Sequence, residues 1–529
     1  MARTSSDAPE TTARAARGRR RTVSRTLSDG EQAALRAAVE RSAEKPGSDD
    51  GRSWATGDER VVLEFAPGDP DDPRNWSAAR KRTVVASVIL LLFSSTFASS
   101  ISTGFAGAVM AEFGVPDVAV TLMVTFFLVG YVVGPLAWAP LSEHFGRQYV
   151  LLVSAGLFVL FTIGCALAPS MPLLVAFRFL QGLAATSPIA VSGGLFSDIY
   201  QDPTVRGRAV AFFTGSTVIG SIFGPAVSGY ASSAPHLGWR WTFWALAIAS
   251  GVCYVFMAAV LRETFRPVLL MRRAARMRAA GANVVAPFEL EDRSLATVCS
   301  VVLTRPFRML VHEPIVIALC VYMGFIYGIL YLFFSAYPII FGDLRGMAPG
   351  PAGLMLFPIG AGTTLVTVAH LAYDVYVARR EARTGVRVSM ERRRLPPTCV
   401  CAFCVPLSLF WLAWTSDPAV PFQACMMAGL PFGMGFTSIF IGFLNYGTDC
   451  YRIYAASALG IMSVTRSLVA AMFPLFARGM YERLGVQWAS SLLGFLALAL
   501  GPLPVVFLWK GQALRSRSRF CMALEKQDL

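Results

Sequence analysis

The 529-residue chain is short of charge. Asp, Glu, Lys and Arg together make up 15% of it, where a soluble protein carries roughly a quarter. With 55% hydrophobic residues and a mean hydropathy of +0.54, that deficit argues against a water-soluble fold. Histidine is scarce too: there are four, with no His-rich metal cluster and no nucleophile constellation, which disfavours a membrane enzyme. Ten cysteines are present. Most fall inside apolar runs and none in a predicted outer loop, which excludes a disulfide framework. Cys399, Cys401 and Cys404 lie close together but without a nearby His or carboxylate, so they read as small residues of a span rather than metal ligands. No apolar segment follows the N-terminal arginines closely enough for a signal peptide. No Asp or Glu falls near the middle of any apolar run, so a proton-carrying carboxylate deep in a membrane is not visible.

What the chain has is long apolar runs. A membrane-crossing helix needs about 20 consecutive, mostly apolar residues. Such runs cover about 83–107, 118–140, 148–168, 172–197, 208–231 and 241–261, then about 314–341, 350–377, 396–415, 420–445, 453–477 and 486–509. They are too long and continuous for a barrel, whose strands alternate over short segments. The prediction is an all-α polytopic membrane protein with twelve transmembrane helices in two six-helix halves. Residues 1–60 form a polar, Arg-rich tail, disordered apart from a short helix from Ser28 to Glu44, where Ser28 and Glu31 supply a capping box. Residues 61–261 hold the first bundle and its pre-helix segment, 262–313 a linker, 314–509 the second bundle and 510–529 a second tail. The net charge of +14 is concentrated in the tails and alternate loops. That distribution encodes orientation rather than nucleic-acid binding, and puts both tails in the cytoplasm.

Several stretches interrupt the apolar pattern. Gly134 to Gln148 reads GPLAWAPLSEHFGRQ and joins the second and third runs. Gly134 lets helices approach closely, while Glu143, Gly146 and Arg147 make a charged hinge: a latch, or an ordinary loop. Asp374 and Arg379 stand at the corresponding place of the second half, as a duplicated unit requires. Arg178 and Gln181, in RFLQG, share a helix face about 10 Å inside the fourth run. A charge there costs roughly 2.5–3.5 kcal/mol on insertion scales, so Arg178 is a functional candidate, as is Arg466, midway along the eleventh run. Asp198 lies near a cytoplasmic end. The fifth run carries Gly215, Gly220, Gly224, Pro225 and Gly229, a small-residue contact face with a bend. Such a face serves static packing or a contact that changes with conformation. Tyr327, Tyr331 and Phe334 form an aromatic stripe, with Phe436 and Asn445 on the tenth run; this is a substrate cavity or helix packing. His370 is a titratable group within a span.

GPLAWAPLSEHFGRQ resembles the loop signature of the major facilitator superfamily, in the form seen in fungal multidrug and polyamine transporters. RFLQG looks like that family's fourth-helix motif, and GSTVIGSIFGPAVSG is similar to its fifth-helix antiporter motif. DPRNWS, GWRWTFW, RETFRPVLLMRRA and NYGTDCYRIYAASAL also resemble the fungal group. The resemblance covers roughly residues 61 to 520. It departs at Gln148, where a second basic residue is usual, and at Gly447 and Thr448, where aliphatics are usual. It implies that Glu143 and Arg147 gate the cytoplasmic side, that Arg178 takes part in proton coupling, and that Gly220, Gly224 and Pro225 bias the cycle towards export. The expectation is a proton-driven exporter of small organic compounds such as drugs, toxins or polyamines. It would act as a monomer by alternating access, with the proton gradient in place of any cofactor, in the plasma membrane or, alternatively, the vacuolar one. Two other readings are an importer of a nutrient or polyamine, and a transport-dead sensor.

Overall fold

In lipid every backbone N–H and C=O must be satisfied within the chain, so uninterrupted apolar runs have to become helices. A computed structural model describes residues 61–516 except 235, 291–294, 387, 452 and 453, together with 518, 520 and 522. The expected tail helix from Ser28 to Glu44 lies outside the described residues. Among these, eleven helical stretches are long and apolar enough to cross a membrane. The first six are α1 (Ala78–Phe113), α2 (Asp117–Phe145), α3 (Arg147–Leu167), α4 (Met171–Ile199), α5 (Thr204–Ser233) and α6 (Arg240–Val260). Two linker helices follow, α7 (Arg266–Ala279) and α8 (Leu295–His312). Then come α9 (Pro314–Asp343), α10 (Pro349–Thr384), α11 (Pro396–Thr415) and α12 (Phe422–Tyr451). The last stretch, Ser457–Arg515, has 59 residues. At 1.5 Å per residue it would be about 88 Å long, almost three times a bilayer core of about 30 Å. Gly485, at φ 73 and ψ 159, breaks it. It is therefore two helices, α13 (457–484) and α14 (486–515), and the arrangement agrees with twelve crossings.

Local signals set the ends. Ser77 and Asp202 cap α1 and α5, their side chains accepting from Arg80 N and Thr204 N. Gly114, at φ 63, closes α1 in the left-handed conformation that glycine adopts without strain.

The helices form two bundles. In the first, α2 packs on α4, α1 on α5 and α3 on α6; in the second, α9 packs on α13 and α10 on α12. The bundles meet where α2 lies along α13 and α5 along α10. If the second half repeats the first, α2 corresponds to α10 and α5 to α13, so these are one contact made twice about a pseudo-twofold axis. One side of the molecule carries the basic loops and both described ends, and is called here the basic side; the other is the far side.

On the basic side the linker is folded rather than an open loop. Val61–Val62 (β1) pairs in parallel with Val284–Val285 (β2), the only sheet among the described residues. Leu63 and Phe65 bury themselves with Leu270, Ala274, Met277 and Ala286, so the pre-helix strap and α7 share a small core.

Candidate functional site

Between the bundles lies a cavity of about 450 Å³. It is walled by far-side ends of helices from both halves: Ser102 and Thr103 of α1, Val120 and Val124 of α2, Tyr331, Phe334 and Tyr337 of α9, and Pro225 of α5. Arg478 stands at its rim and pairs with Asp117 of the first half at 3.6 Å and Asp343 of the second at 3.7 Å. Of the aromatic candidates, Tyr331 and Phe334 line this cavity. Tyr327 and Phe436 do not; they belong to an aromatic stack one layer further in, with Phe436 and Phe440 4.4 Å apart and nearly parallel. Asn445 lies elsewhere, on the basic side beside His370 and Asp374.

At that basic-side spot the remaining space is about 20 Å³, room for about one water. Charges close it. Arg208 Nε of α5 donates to Asp374 Oδ2 of α10 at 3.1 Å, and Arg206 pairs with Asp449 of α12 at 3.6 Å. Both pairs join the two halves. Arg394 donates through Nε to Asp449 at 2.8 Å and also lies 3.8 Å from Asp374, as does Arg393.

The hinge is built differently from the sequence expectation. Glu143 and Arg147 are four residues apart, which on a continuous helix would put them on one face. Gly146 intervenes at φ 99 and ψ 162, which redirects Arg147. Its guanidinium donates to Ser142 Oγ at 2.5 Å and to Asp198 at 3.4 Å. The carboxylate at the start of α3 is that of Glu263, which accepts from the backbone N–H groups of Arg147, Gln148, Thr264 and Phe265. Glu143 makes no ion pair among the described residues. In the second half Arg379 is exposed and does not meet Asp374. Five residues along an unbroken helix are about 140° apart around its axis. Arg394 does there what Arg147 does here: Arg394–Asp449 repeats Arg147–Asp198. Sequence reading missed Glu263, Arg206, Arg208 and Arg394. Glu263 stood inside RETF, and the others were visible only as orientation charges.

The glycines of α5 divide into two sets. A methyl group at Gly220 or Gly224 would collide with Thr96 and Phe93, or Ser100 and Phe97, all on α1. One at Gly229 would strike the Pro349 carbonyl group, and one at Gly215 would press on Thr367, both on α10 of the other half. Gly134 similarly allows α2 to approach Thr186. Helix α5 runs on through Pro225. Proline cannot donate to the carbonyl four residues back; that carbonyl, of Ser221, accepts instead from Ser100 Oγ at 2.6 Å.

The two mid-span arginines have opposite environments, and neither lines the cavity. Arg178 is fully buried inside the first half. It donates to the carbonyls of Ala98 (2.8 Å), Met123 (3.2 Å) and Ser99 (3.5 Å) and to Gln181 Oε1 (2.8 Å), and lies 4.4 Å over the Phe127 ring. Gln181 passes the contact on to Thr162 at 2.7 Å. Arg466 is 7% exposed, and its Nε has no hydrogen-bond partner. It faces the rings of Tyr327 and Phe440, 5.1 and 5.4 Å away. A link nonetheless joins cavity and Arg178: Tyr331 OH donates to Ser99 Oγ at 2.8 Å, next to two of the carbonyls that Arg178 holds.

The profile of the Major Facilitator Superfamily matches residues 88–474. The chain belongs to the Major Facilitator Superfamily. Members of this superfamily are membrane transporters of small molecules and not enzymes, and so is this chain. Its relatives include a citrinin biosynthesis cluster MFS transporter of Monascus ruber, 37% identical over 461 residues that cover 86% of this chain and 91% of that one. An MFS-type efflux pump of Trichophyton rubrum is 36% identical over 87% of this chain and 77% of that one. A major facilitator superfamily multidrug transporter of Aspergillus fumigatus is 36% identical, covering 85% and 74%. Among solved structures, the proton:xylose symporter XylE superposes with a TM-score of 0.59 at 16% identity, covering 82% of this chain and 96% of that one. The human organic anion transporter MFSD10 does so at 0.55 and 16%, covering 80% and 99%. At that identity the superfamily fold is what they share.

Proposed function

We propose that this transporter is a proton-driven exporter of small organic compounds, working in the plasma membrane with its basic side in the cytoplasm. One observation carries the reading most directly. The cavity between the halves opens towards the far side, while the basic side is held shut by ion pairs between the halves, Arg208–Asp374 and Arg206–Asp449. That is the outward-facing end of an alternating-access cycle. Breaking these pairs and drawing the far-side ends of the two halves together around Arg478, which already bridges Asp117 and Asp343, would give the other end.

Export is favoured by relatives that are named as an efflux pump and a multidrug transporter. The cavity wall suits amphipathic organic compounds: tyrosines, a phenylalanine and small hydroxyl side chains, with a few polar groups to orient the ligand. Coupling to protons rests on the bonded group around Arg178 and on Asp198, whose only ion pair among the described residues is with Arg147.

The test is flux in a pump-deficient host. Cells producing the protein should accumulate less of an amphipathic fluorescent substrate than control cells, and a protonophore should remove the difference. Greater accumulation would mean import. A difference that survives the protonophore would exclude the proton gradient.

A further inference from the structure

We propose that the basic side of the first half holds a binding site for a phosphate-bearing anion, distinct from the transport cavity. The site is a hollow of about 320 Å³ where the pre-helix strap, the hinge and α7 meet. Phe65, Pro70 and Trp76 form its apolar wall. Five arginines line it, Arg80, Arg262, Arg272, Arg273 and Arg276, against two carboxylates, Asp71 and Glu263. Glu263 is already occupied by four backbone N–H groups. The lining residues are therefore positive by three charges, one of them answered by Asp69 behind Arg273.

Arg273 is the residue that points to a ligand. It is 2% exposed, yet only its Nη1 is engaged, by Asp69 at 2.5 Å. Its Nε and Nη2 are buried in the wall and meet no partner. Burying unmet donors of a charged group is costly unless something else receives them. Arg262 and Arg272 are exposed and have no partner among the described residues, so two further guanidiniums are available. Arg80 lies 4.2 Å over the Trp76 ring, held beside the opening.

The chemistry selects the ligand class. A guanidinium fork matches phosphate oxygens two at a time. Several converging forks suit a multiply charged group, and a phosphate monoester carries about −1.5 to −2, whereas a carboxylate carries one charge. The hollow holds about ten water volumes at ~30 Å³ each, enough for a phosphorylated headgroup or a small polyphosphate and too little for a macromolecule. Arg80 is in the first turn of α1, where the chain enters the bilayer. A phosphoinositide headgroup and a soluble polyphosphate can therefore both supply the same chemistry.

The experiment uses the purified full-length protein. Binding of inositol hexakisphosphate is measured in solution. In parallel, nanodiscs with phosphatidylinositol 4,5-bisphosphate are compared with nanodiscs of phosphatidylserine at matched charge. Saturable binding in solution identifies a free phosphate compound as the occupant; preference for the phosphoinositide over phosphatidylserine, without binding in solution, identifies a headgroup. In either case Arg262→Gln/Arg272→Gln should weaken binding by about tenfold or more with Tm unchanged. Arg273→Lys, which keeps the charge but loses the fork, should weaken it as well. Absence of binding in both arms, or binding that the double variant retains in full, would overturn the proposal.

Discussion

Arg208 and Asp374 are 166 residues apart in sequence, lie in different halves, and meet at 3.1 Å on the basic side. Asp374 also stands 3.8 Å from Arg393 and Arg394. One carboxylate thus answers three guanidiniums, and its loss leaves three cations facing one another. The two partners should not be equivalent. A partly exposed pair contributes about 0–1 kcal/mol, so Arg208→Gln should loosen the closed side slightly. Asp374→Asn should loosen it more, because repulsion is added to the lost attraction. With Ala211→Cys in a background without other cysteines, labelling from the basic side should rise about fivefold in Asp374→Asn, the effect of 1 kcal/mol, and less in Arg208→Gln. Equal, unchanged rates would mean that these charges do not hold the side shut.

The hinge glycine makes a narrower prediction. Gly146 has a positive φ that L side chains rarely adopt, and a methyl group there would meet the Glu263 carboxylate. Gly146→Ala should therefore displace Glu263 from the start of α3 and destabilise the first half by about 1–3 kcal/mol. The check is thermal unfolding in detergent, where Gly114→Ala is the control: it shares the positive φ but meets nothing within 4 Å. The larger loss should be at Gly146.

The glycines of α5 separate packing from cycling. Gly224→Ala places a carbon against Ser100 and the Phe97 carbonyl within one bundle. That bundle must stay packed throughout the cycle, so the variant should lose both stability and flux. Gly229→Ala places its carbon against Pro349 of the other half. The bundles can separate to relieve that clash, so folding should survive while closure of the far side slows. Tm and flux measured together distinguish the two. A Gly229→Ala protein with normal turnover would show that this contact need not tighten.

How much of this was legible follows from the scale of each signal. The helical class and the order of crossings were readable because burial in lipid forces a run of about 20 apolar residues, and nothing in the chain imitates it. The fifth-helix motif was readable as a contact surface, but not that its glycines face two different partners, because helix periodicity does not say what lies opposite. The gate was hardest. Glu143 and Arg379 looked suitable by spacing, and a single glycine dihedral and 140° of helix rotation removed them. Arg206, Arg208, Arg393 and Arg394 were one basic loop residue among many until the fold brought Asp374 and Asp449 to them. The strap–α7 core was invisible for a similar reason: two-residue strands carry no periodic signal.

The two buried arginines give the sharpest contrast. Removing Arg178 takes away its hydrogen bonds to three backbone carbonyls and to Gln181 inside the first half. Hydrogen bonds to a charged group contribute about 1.5–3 kcal/mol each, so Arg178→Ala should lower Tm and yield substantially, and Arg178→Lys should recover only part, since one ammonium cannot reach every acceptor. Among the described residues Arg466 makes no hydrogen bond that its removal would break, and its Nε is unmet. Replacing an uncompensated buried charge with an apolar side chain of similar length is often neutral or stabilising. Arg466→Met should therefore fold as well as the parent, or better, and yet lose transport. That outcome would assign Arg466, set against Tyr327 of α9 and Phe440 of α12 within the second half, to the transport cycle rather than to packing. Thermal unfolding and substrate flux, measured on both variants, decide it: a strongly destabilised Arg466→Met protein would assign the residue to packing, and a stable one with full flux would leave it without a role in transport.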